Sequence, residues 1–124
     1  MKTLTIRQPW AELIARGKKD IEVRTWKTNY RGKIAIHAGK VIDSNISIYE
    51  NNGWKFLTGG IIAIADLVIV DKFYPRDNFR AFMQYEPNLF AWHLYNVQRV
   101  DFVPCNGMPG IFETHFNLKV AAIR

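Results

Sequence analysis

The sequence predicts an α+β domain that is mostly β, built as a small and mostly antiparallel barrel of five to six strands with two to three short flanking helices. Three observations lead to this fold class. Short segments that alternate apolar and polar residues recur along the chain. A nearly all-apolar, β-branched run at residues 61–70 is typical of a central strand, and the helical patterns between the strands are brief.

Length and composition indicate a single domain over residues 1–124. With 48% hydrophobic and 14% aromatic residues, the chain can build one core without a metal or a disulfide. Cys105 has no partner for an internal disulfide, no charged leader followed by an apolar segment opens the chain, and the run at residues 61–70 is too short to span a bilayer. We therefore expect a cytoplasmic protein with no membrane partner.

The first elements are a short strand at residues 4–7 and a helix at residues 9–16. A proline suits the first helical position, Trp10 and Ile14 recur at helical spacing, and Gly17 is the expected left-handed stop. This pattern places Trp10 in the core.

The next strand begins at Ile21, within the most unusual stretch of the chain. Two lysines, two acids and an arginine lie within residues 17–24. If Ile21 and Val23 point to the core, alternation places three polar or aromatic side chains on the opposite face, beside Lys19: Glu22, Arg24 and Trp26. A row of this kind can hold a polar ligand.

A second alternating segment predicts a strand at residues 33–38. His37 would lie beside Glu22 and Arg24 if this strand paired with the one that begins at Ile21. A lone histidine is usually a hydrogen-bonded structural residue, so a structural role and a binding role both remain open for His37.

The middle of the chain predicts a peripheral helix and a central strand. Asp43 or Ser44 caps the helix, which ends at Gly53. Asp66 interrupts the central strand at residues 61–70, where a charged carboxylate must hydrogen-bond, pair with a cation or reach solvent.

The remaining pattern predicts one more helix and the last strands. The helix spans residues 77–85 and is expected to bury three side chains at helical spacing: Phe79, Phe82 and Met83. Strands are expected at residues 90–95, with an extension or a further strand at 97–103, at 111–113, and as a last strand or packed tail at 116–123.

Positive charge is concentrated in the N-terminal third. Residues 1–40 carry ten Lys and Arg against three Asp and Glu, a net of +7, whereas residues 41–124 carry seven against eight, a net of −1. A localised basic excess is typical of a protein that binds a polyanion, although a basic surface that only aids solubility is the simpler alternative.

The sequence lacks the patterns of metal, cofactor or thiol chemistry. His37, His93 and His115 share no ligand spacing, and Cys105 has no cysteine partner. Neither a phosphate-binding Walker sequence nor a dinucleotide fingerprint is present. We expect no metal and no cofactor.

Basic side chains interleaved with aromatic ones favour single-stranded or unstacked nucleic acid, because Lys and Arg contact phosphates while rings stack on bases. The expected centre of this site is Lys19, Glu22 and Arg24. Glu22 would pair with the neighbouring cations, accept a hydrogen bond from the Watson-Crick edge of a base, or act as a general base. The expected supporting residues are Arg7, Lys18, Trp26, Tyr30, Arg31, Lys33 and His37.

The residues of this site also carry a family resemblance. Gly17, Lys19, Glu22 and Arg24 match the signature G-x-K-x-x-E-x-R at every fixed position, and the chain resembles the ASCH family, the activating signal cointegrator homology domains of the PUA-like superfamily. Further landmarks lie at residues 8–11, at Trp26, and at residues 30–32, 90–92 and 107–112.

The resemblance implies a PUA-like β-barrel with a cleft beside the first helix, and RNA binding like that of the coactivator-type ASCH domain.

It also implies an alternative, because some family members deacetylate N4-acetylcytidine and ribonuclease activity is known in the family. In the amidohydrolase branch Lys, Thr and Glu carry the chemistry; the Lys corresponds to Lys19, but the Thr position is Glu22 here, which removes the hydroxyl nucleophile. A metal-independent hydrolase would then use Lys19 as oxyanion stabiliser and Glu22 as general base. A protein-interaction domain with an acidic partner is a third possibility.

Overall fold

A computed structural model describes residues 1–122 of the chain. It contains six strands and three short helices within those residues, and one turn of 3-10 helix (Pro75–Asp77) precedes the third helix. The strands are β1 (Lys2–Gln8), β2 (Ile21–Arg24), β3 (Gly32–Ile42), β4 (Gly60–Lys72), β5 (Phe90–Pro104) and β6 (Ile111–Glu113). The helices are α1 (Trp10–Ala15), α2 (Ile46–Glu50) and α3 (Asn78–Ala81).

The six strands form one mixed sheet in the order β2-β5-β4-β3-β1-β6. The pairing of β1 with β3 is parallel and the other pairings are antiparallel. The mostly β fold class is therefore confirmed, with one correction: within residues 1–122 no pairing joins β2 to β6, so the sheet is not a closed barrel. The physical reason lies in β6, which pairs only with Lys2, Thr3 and Leu4 and leaves the rest of β1 with a free edge.

The central strands are covered on both faces. Ile34 and Ile36 of β3 pack into a large cluster with Trp92 and with Ile14 of α1. Ala35, between them, packs on the other face in a cluster that includes the half-buried Leu118. The C-terminal segment is thus a packed tail joined to the sheet by one bridge, Val100 with Val120, and residue 123 lies outside the described residues.

The strands predicted from alternation are longer than expected. Residues 90–95 and 97–103 belong to one strand, β5, because three shifts in its register against β4 let the chain continue without a turn. Asp66 is tolerated inside β4 because its side chain is 35% exposed, accepts a hydrogen bond from Asn96 and lies 3.6 Å from the ammonium of Lys33.

The helix predicted at residues 77–85 is mostly absent. α3 ends at Ala81, because Phe82 adopts a left-handed backbone with φ of 57°. Ala81 and Phe73 supply the buried contacts of this region. Phe79, predicted as core, is instead 89% exposed, while Phe82 and Met83 are half-buried.

The helix predicted after Asp43 is present as α2, which buries Ile46 as its inward side chain. None of the helices within residues 1–122 is long and apolar enough to cross a membrane.

Candidate functional site

A cleft of about 840 Å³ opens beside the unpaired edge of β1. Its walls come from β1, β2, the end of β3 and the loop at residues 105–110 that joins β5 to β6. This volume falls within the range of roughly 300–1,000 Å³ that is usual for small-molecule sites. The cleft exists because the sheet does not close here.

Arg24 bridges the gap between β2 and β1. Its Nη2 atom donates a hydrogen bond of 2.6 Å to the carbonyl oxygen of Thr5 and lies 3.1 Å from Oε2 of Glu22. The Nε atom of Arg24 is buried and has no partner within the described residues. A buried guanidinium N–H without an acceptor costs free energy, so Arg24 has an unsatisfied donor in a residue that lines the cleft.

Lys19 lies behind Glu22 and is only 3% exposed. Its ammonium donates to the carbonyl oxygens of Ile21 (2.6 Å) and Ala81 (2.7 Å), and it lies 3.4 Å from Oε1 of Glu22. Burial lowers the pKa of Lys19, and the charge of Glu22 opposes that shift. The structure therefore brings Lys19, Glu22 and Arg24 together, as the signature predicts, but gives Lys19 internal partners.

The first helix explains why Lys19 turns inward. Gly17, at a φ of 75°, reverses the chain, and the backbone N–H groups of Lys18 and Lys19 both return to the carbonyl oxygen of Leu13. Gly17 therefore ends α1 as predicted. The strand then starts at Ile21, which is fully buried, while Glu22 is only 8% exposed and not on an open face.

His37 fastens the loop of the cleft to the sheet. Nδ1 of its ring lies 3.1 Å from Oγ1 of Thr5, and Nε2 lies 2.7 Å from the carbonyl oxygen of Cys105. Because a carbonyl only accepts, Nε2 carries the proton and Nδ1 accepts from Thr5. With 1% exposure and both nitrogens engaged, His37 lines the cleft as a structural residue.

The expected pairing of the His37 strand with β2 is wrong. In the described sheet, β2 pairs with β5, and β3 lies between β4 and β1. His37 and Glu22 nevertheless line one cleft, because the sheet curls and brings β2 opposite β1 and β3.

Gly107 packs tightly on the same histidine. A Cβ atom at this position would lie 2.7 Å from Oγ1 of Thr5 and 3.0 Å from Cε1 of His37. We expect Gly107→Ala to displace the loop and lower the free energy of unfolding by about 1 kcal/mol, measured by urea denaturation. Asn106→Ala, at an exposed neighbour, is the control, and equal stability of both variants would contradict this account.

Trp26 contributes to the core and not to the cleft. Its ring packs edge-on against Trp92 at a centroid distance of 4.8 Å, and its carbonyl oxygen accepts from Nε1 of Trp92. β2 ends at Arg24, so the alternation that would place Trp26 beside Glu22 stops before it.

Four other predicted residues also lie away from the cleft walls. The hydroxyl of Tyr30 donates to the carbonyl oxygen of Lys33, and Arg31 donates to that of Tyr30. Lys33 lies near Asp66, and Lys18 is exposed on the turn after α1. Of the supporting residues predicted from the sequence, Arg7 and His37 line the cleft.

Comparison with known proteins identifies the family. The family model described as ASCH domain matches residues 4–104. The chain belongs to the ASCH domain family. Over 35 residues it is 49% identical to activating signal cointegrator 1 of Homo sapiens, a match that covers 28% of this chain and only 6% of that protein.

Solved structures support the fold of this ASCH domain. A crystal structure of ASCH from Zymomonas mobilis superposes with a TM-score of 0.62 at 16% identity, over 83% of this chain and 72% of that chain. A mutant of the same protein gives a TM-score of 0.60 at 15% identity, over 83% and 74%. The PUA-like fold expected from the resemblance is therefore confirmed.

Several cleft residues of this ASCH domain were not predicted as site residues. Lys40 and Val41 line the cleft because β3 continues to Ile42, whereas the alternation ends at Ala38. Trp10, predicted as core, is half-buried and also forms part of the wall. The glycines and prolines of residues 107–110 were the sequence signal for the loop that completes the cleft.

The ionisable groups of the cleft are mostly cationic. Among the described residues that line the cleft, Arg7, Arg24 and Lys40 are cations and Glu22 is the one carboxylate. Burial raises the pKa of the Cys105 thiol. No group of three His, Cys, Asp or Glu side chains suited to a metal ion occurs among residues 1–122.

Proposed function

We propose that this ASCH domain binds single-stranded RNA and receives one unpaired or modified base in the cleft. The observation that carries the proposal is a cleft of nucleotide size with three cations against one carboxylate, namely Arg7, Arg24 and Lys40 against Glu22. Such a site attracts phosphates, and its walls can hold the attached base. The ASCH family is associated with nucleic-acid binding, which agrees with this assignment.

Glu22 does not oppose phosphate binding as an isolated acid would. Lys19 at 3.4 Å and Arg24 at 3.1 Å balance its charge. The carboxylate is an acceptor only, so it suits an amino or ring N–H group on a base edge. In this proposal Glu22 recognises the base while Lys19 holds the carboxylate in place.

The apolar side chains of the cleft suit the face of a base. Trp10 forms part of the wall, and Val41 and Met108 are both more than half exposed at the cleft. A flat ring placed among them would bury apolar area while its phosphate contacts Arg7 or Lys40.

The hydrolase alternative makes a different demand on Lys19. It requires Lys19 to stabilise a reacting oxygen, yet the ammonium already donates to two carbonyl groups. Incubation of the protein with N4-acetylcytidine and with mixed-sequence RNA, followed by product analysis, tests it; turnover that Glu22→Gln abolishes would favour the enzyme.

Binding across a salt series tests the proposed function. We expect labelled single-stranded RNA to bind with an affinity that falls as salt rises, with a slope of about 0.7 per phosphate contact. Arg7→Ala combined with Lys40→Ala should weaken binding and reduce that slope, because both cations line the cleft. Lys55→Ala combined with Lys119→Ala removes the same charge from exposed positions outside the cleft walls and is the control. No binding at low salt, or an equal loss in both double variants, would contradict the proposal.

A further inference from the structure

A surface of exposed aromatic side chains surrounds α3. Phe79 is 89% exposed, and Tyr74 and Tyr85 are 39% and 42% exposed. Phe79 therefore does not contribute to the core, and three exposed rings within residues 74–85 form an apolar group of the kind that marks an interaction surface.

The fold holds these rings on a fixed backbone. Asp77, itself buried, accepts a hydrogen bond of 3.0 Å from the backbone N–H of Tyr74 and sets the turn before α3. Tyr85 stacks on the buried Phe73 at a centroid distance of 5.9 Å. The buried Ala81 anchors the end of α3. Tyr74 and Phe79 therefore lie on an anchored segment.

Cations lie among the rings. The guanidinium of Arg76 is 4.4 Å from the ring centroid of Tyr74, and Lys72 is exposed just before this turn. Of the neighbouring acids, Asp77 is buried, whereas the side chain of Asp71 is 45% exposed and lies 3.0 Å from Nε2 of His93. Glu86 is a second exposed acid at the border of this surface. Protein surfaces that bind single-stranded nucleic acid commonly combine arginine with aromatic rings.

Two internal contacts join α3 to the segment that begins β2. The ammonium of Lys19 donates to the carbonyl oxygen of Ala81, the last residue of α3, and approaches Glu22 in the cleft wall. A second link is the ion pair of 2.9 Å between Arg80 and Asp20, just before β2. These contacts place α3 next to β2, which forms one wall of the cleft.

We infer that the α3 surface, formed by Lys72, Tyr74, Arg76, Phe79 and Tyr85, is a second contact site for the same single-stranded RNA. A base flanking the one in the cleft stacks on Phe79, and Lys72 and Arg76 contact the adjoining phosphates. This inference rests on the proposed function of the cleft and adds a direction along which the RNA runs. A protein segment is the competing occupant, and the experiment below separates the two.

Anisotropy titrations with two labelled RNAs test the inference. One RNA has about 12 nucleotides and reaches beyond the cleft, and the other has about 4. We expect Phe79→Ala to weaken binding of the longer RNA by roughly 5- to 100-fold and to change binding of the shorter one by less than about twofold. Phe79→Trp should restore the affinity, because the indole also stacks. Phe116→Ala, at another exposed ring, is the control.

The outcomes separate this inference from the proposed function. Phe79 is exposed, so Phe79→Ala should unfold at the same urea concentration as wild type, and lost binding is then not lost folding. If Phe79→Ala binds the longer RNA like wild type while the cleft variants weaken it, the α3 surface is not an RNA site and the cleft proposal stands. If the wild-type protein binds neither RNA, both fail.

Discussion

Lys19→Met is expected to lower the free energy of unfolding by about 3 kcal/mol, although methionine fits an apolar site well. The lysine ammonium satisfies the carbonyl oxygens of Ile21 and Ala81 and neutralises part of Glu22. The substitution leaves two buried acceptors without a donor and a buried carboxylate with Arg24 as its remaining partner. Breaking a buried ion pair usually costs about 3–5 kcal/mol. Because Arg24 still pairs with Glu22 in this variant, we expect a cost at the lower end of that range.

Urea denaturation of Lys19→Met against Lys18→Met checks this result. Lys18 is the exposed neighbour, so its substitution should change stability by less than about 0.5 kcal/mol. The wild-type protein should also gain stability as pH rises toward the usual lysine pKa of 10.5, because the pKa of Lys19 is lowered in the folded state and the unfolded chain binds more protons there. Lys19→Met should lack that gain. Equal stability of the two variants would refute the internal role of Lys19.

Arg24→Ala is expected to weaken RNA binding by about 10- to 100-fold. Arg24 lines the cleft with a side chain that is 23% exposed, and a charge-assisted hydrogen bond to phosphate contributes about 1.5–3 kcal/mol. The same change removes the link to Thr5, so a loss of about 1 kcal/mol in stability should accompany it.

Arg24→Lys and Arg31→Ala complete the Arg24 experiment. Arg24→Lys keeps the charge but loses the guanidinium, whose Nη2 contacts both Glu22 and Thr5, so its affinity should lie between wild type and Arg24→Ala. Arg31→Ala removes an exposed arginine outside the cleft walls and should retain nearly wild-type affinity. A loss of affinity as large for Arg31→Ala as for Arg24→Ala would mean that net charge alone, and not the cleft, governs binding.

The period of the apolar residues was sufficient to predict most of the fold. Ile21 and Val23 alternate because β2 has a buried face, and Ile14 packs on the sheet because α1 lies over it. Phe79 shows the limit of this reasoning. Its helical spacing from Phe82 indicates a shared face only if the helix continues, and it ends at Ala81.

The sequence predicted which residues form the centre of the site better than it predicted how they are arranged. The signature brought Lys19, Glu22 and Arg24 together, but alternation along a strand cannot show that the turn after α1 folds Lys19 back to Ala81, a residue 62 positions later. Arg7 was predicted, whereas Lys40 depended on where β3 ends. The loop at residues 105–110 reaches the cleft through contacts distant in sequence, such as His37 with Cys105.

Each residue of the family signature has a structural role. Gly17 reverses the chain, Lys19 connects β2 to α3, Glu22 lies between two cations, and Arg24 spans the open edge of β1. Together these contacts fix the position of β2 beside the open edge of the sheet, where the cleft lies.

Backbone and indole chemical shifts of the ¹⁵N-labelled protein, followed as single-stranded RNA is added, test the central claim most directly. Trp10 and Gly107 lie in the cleft walls, whereas Trp54 lies outside them and packs against Arg16. We expect the Trp10 indole and the Gly107 amide to shift with RNA concentration and the Trp54 indole to stay in place. Shifts at Trp54 without shifts at Trp10 and Gly107, or no shifts at all, would contradict RNA binding in this cleft.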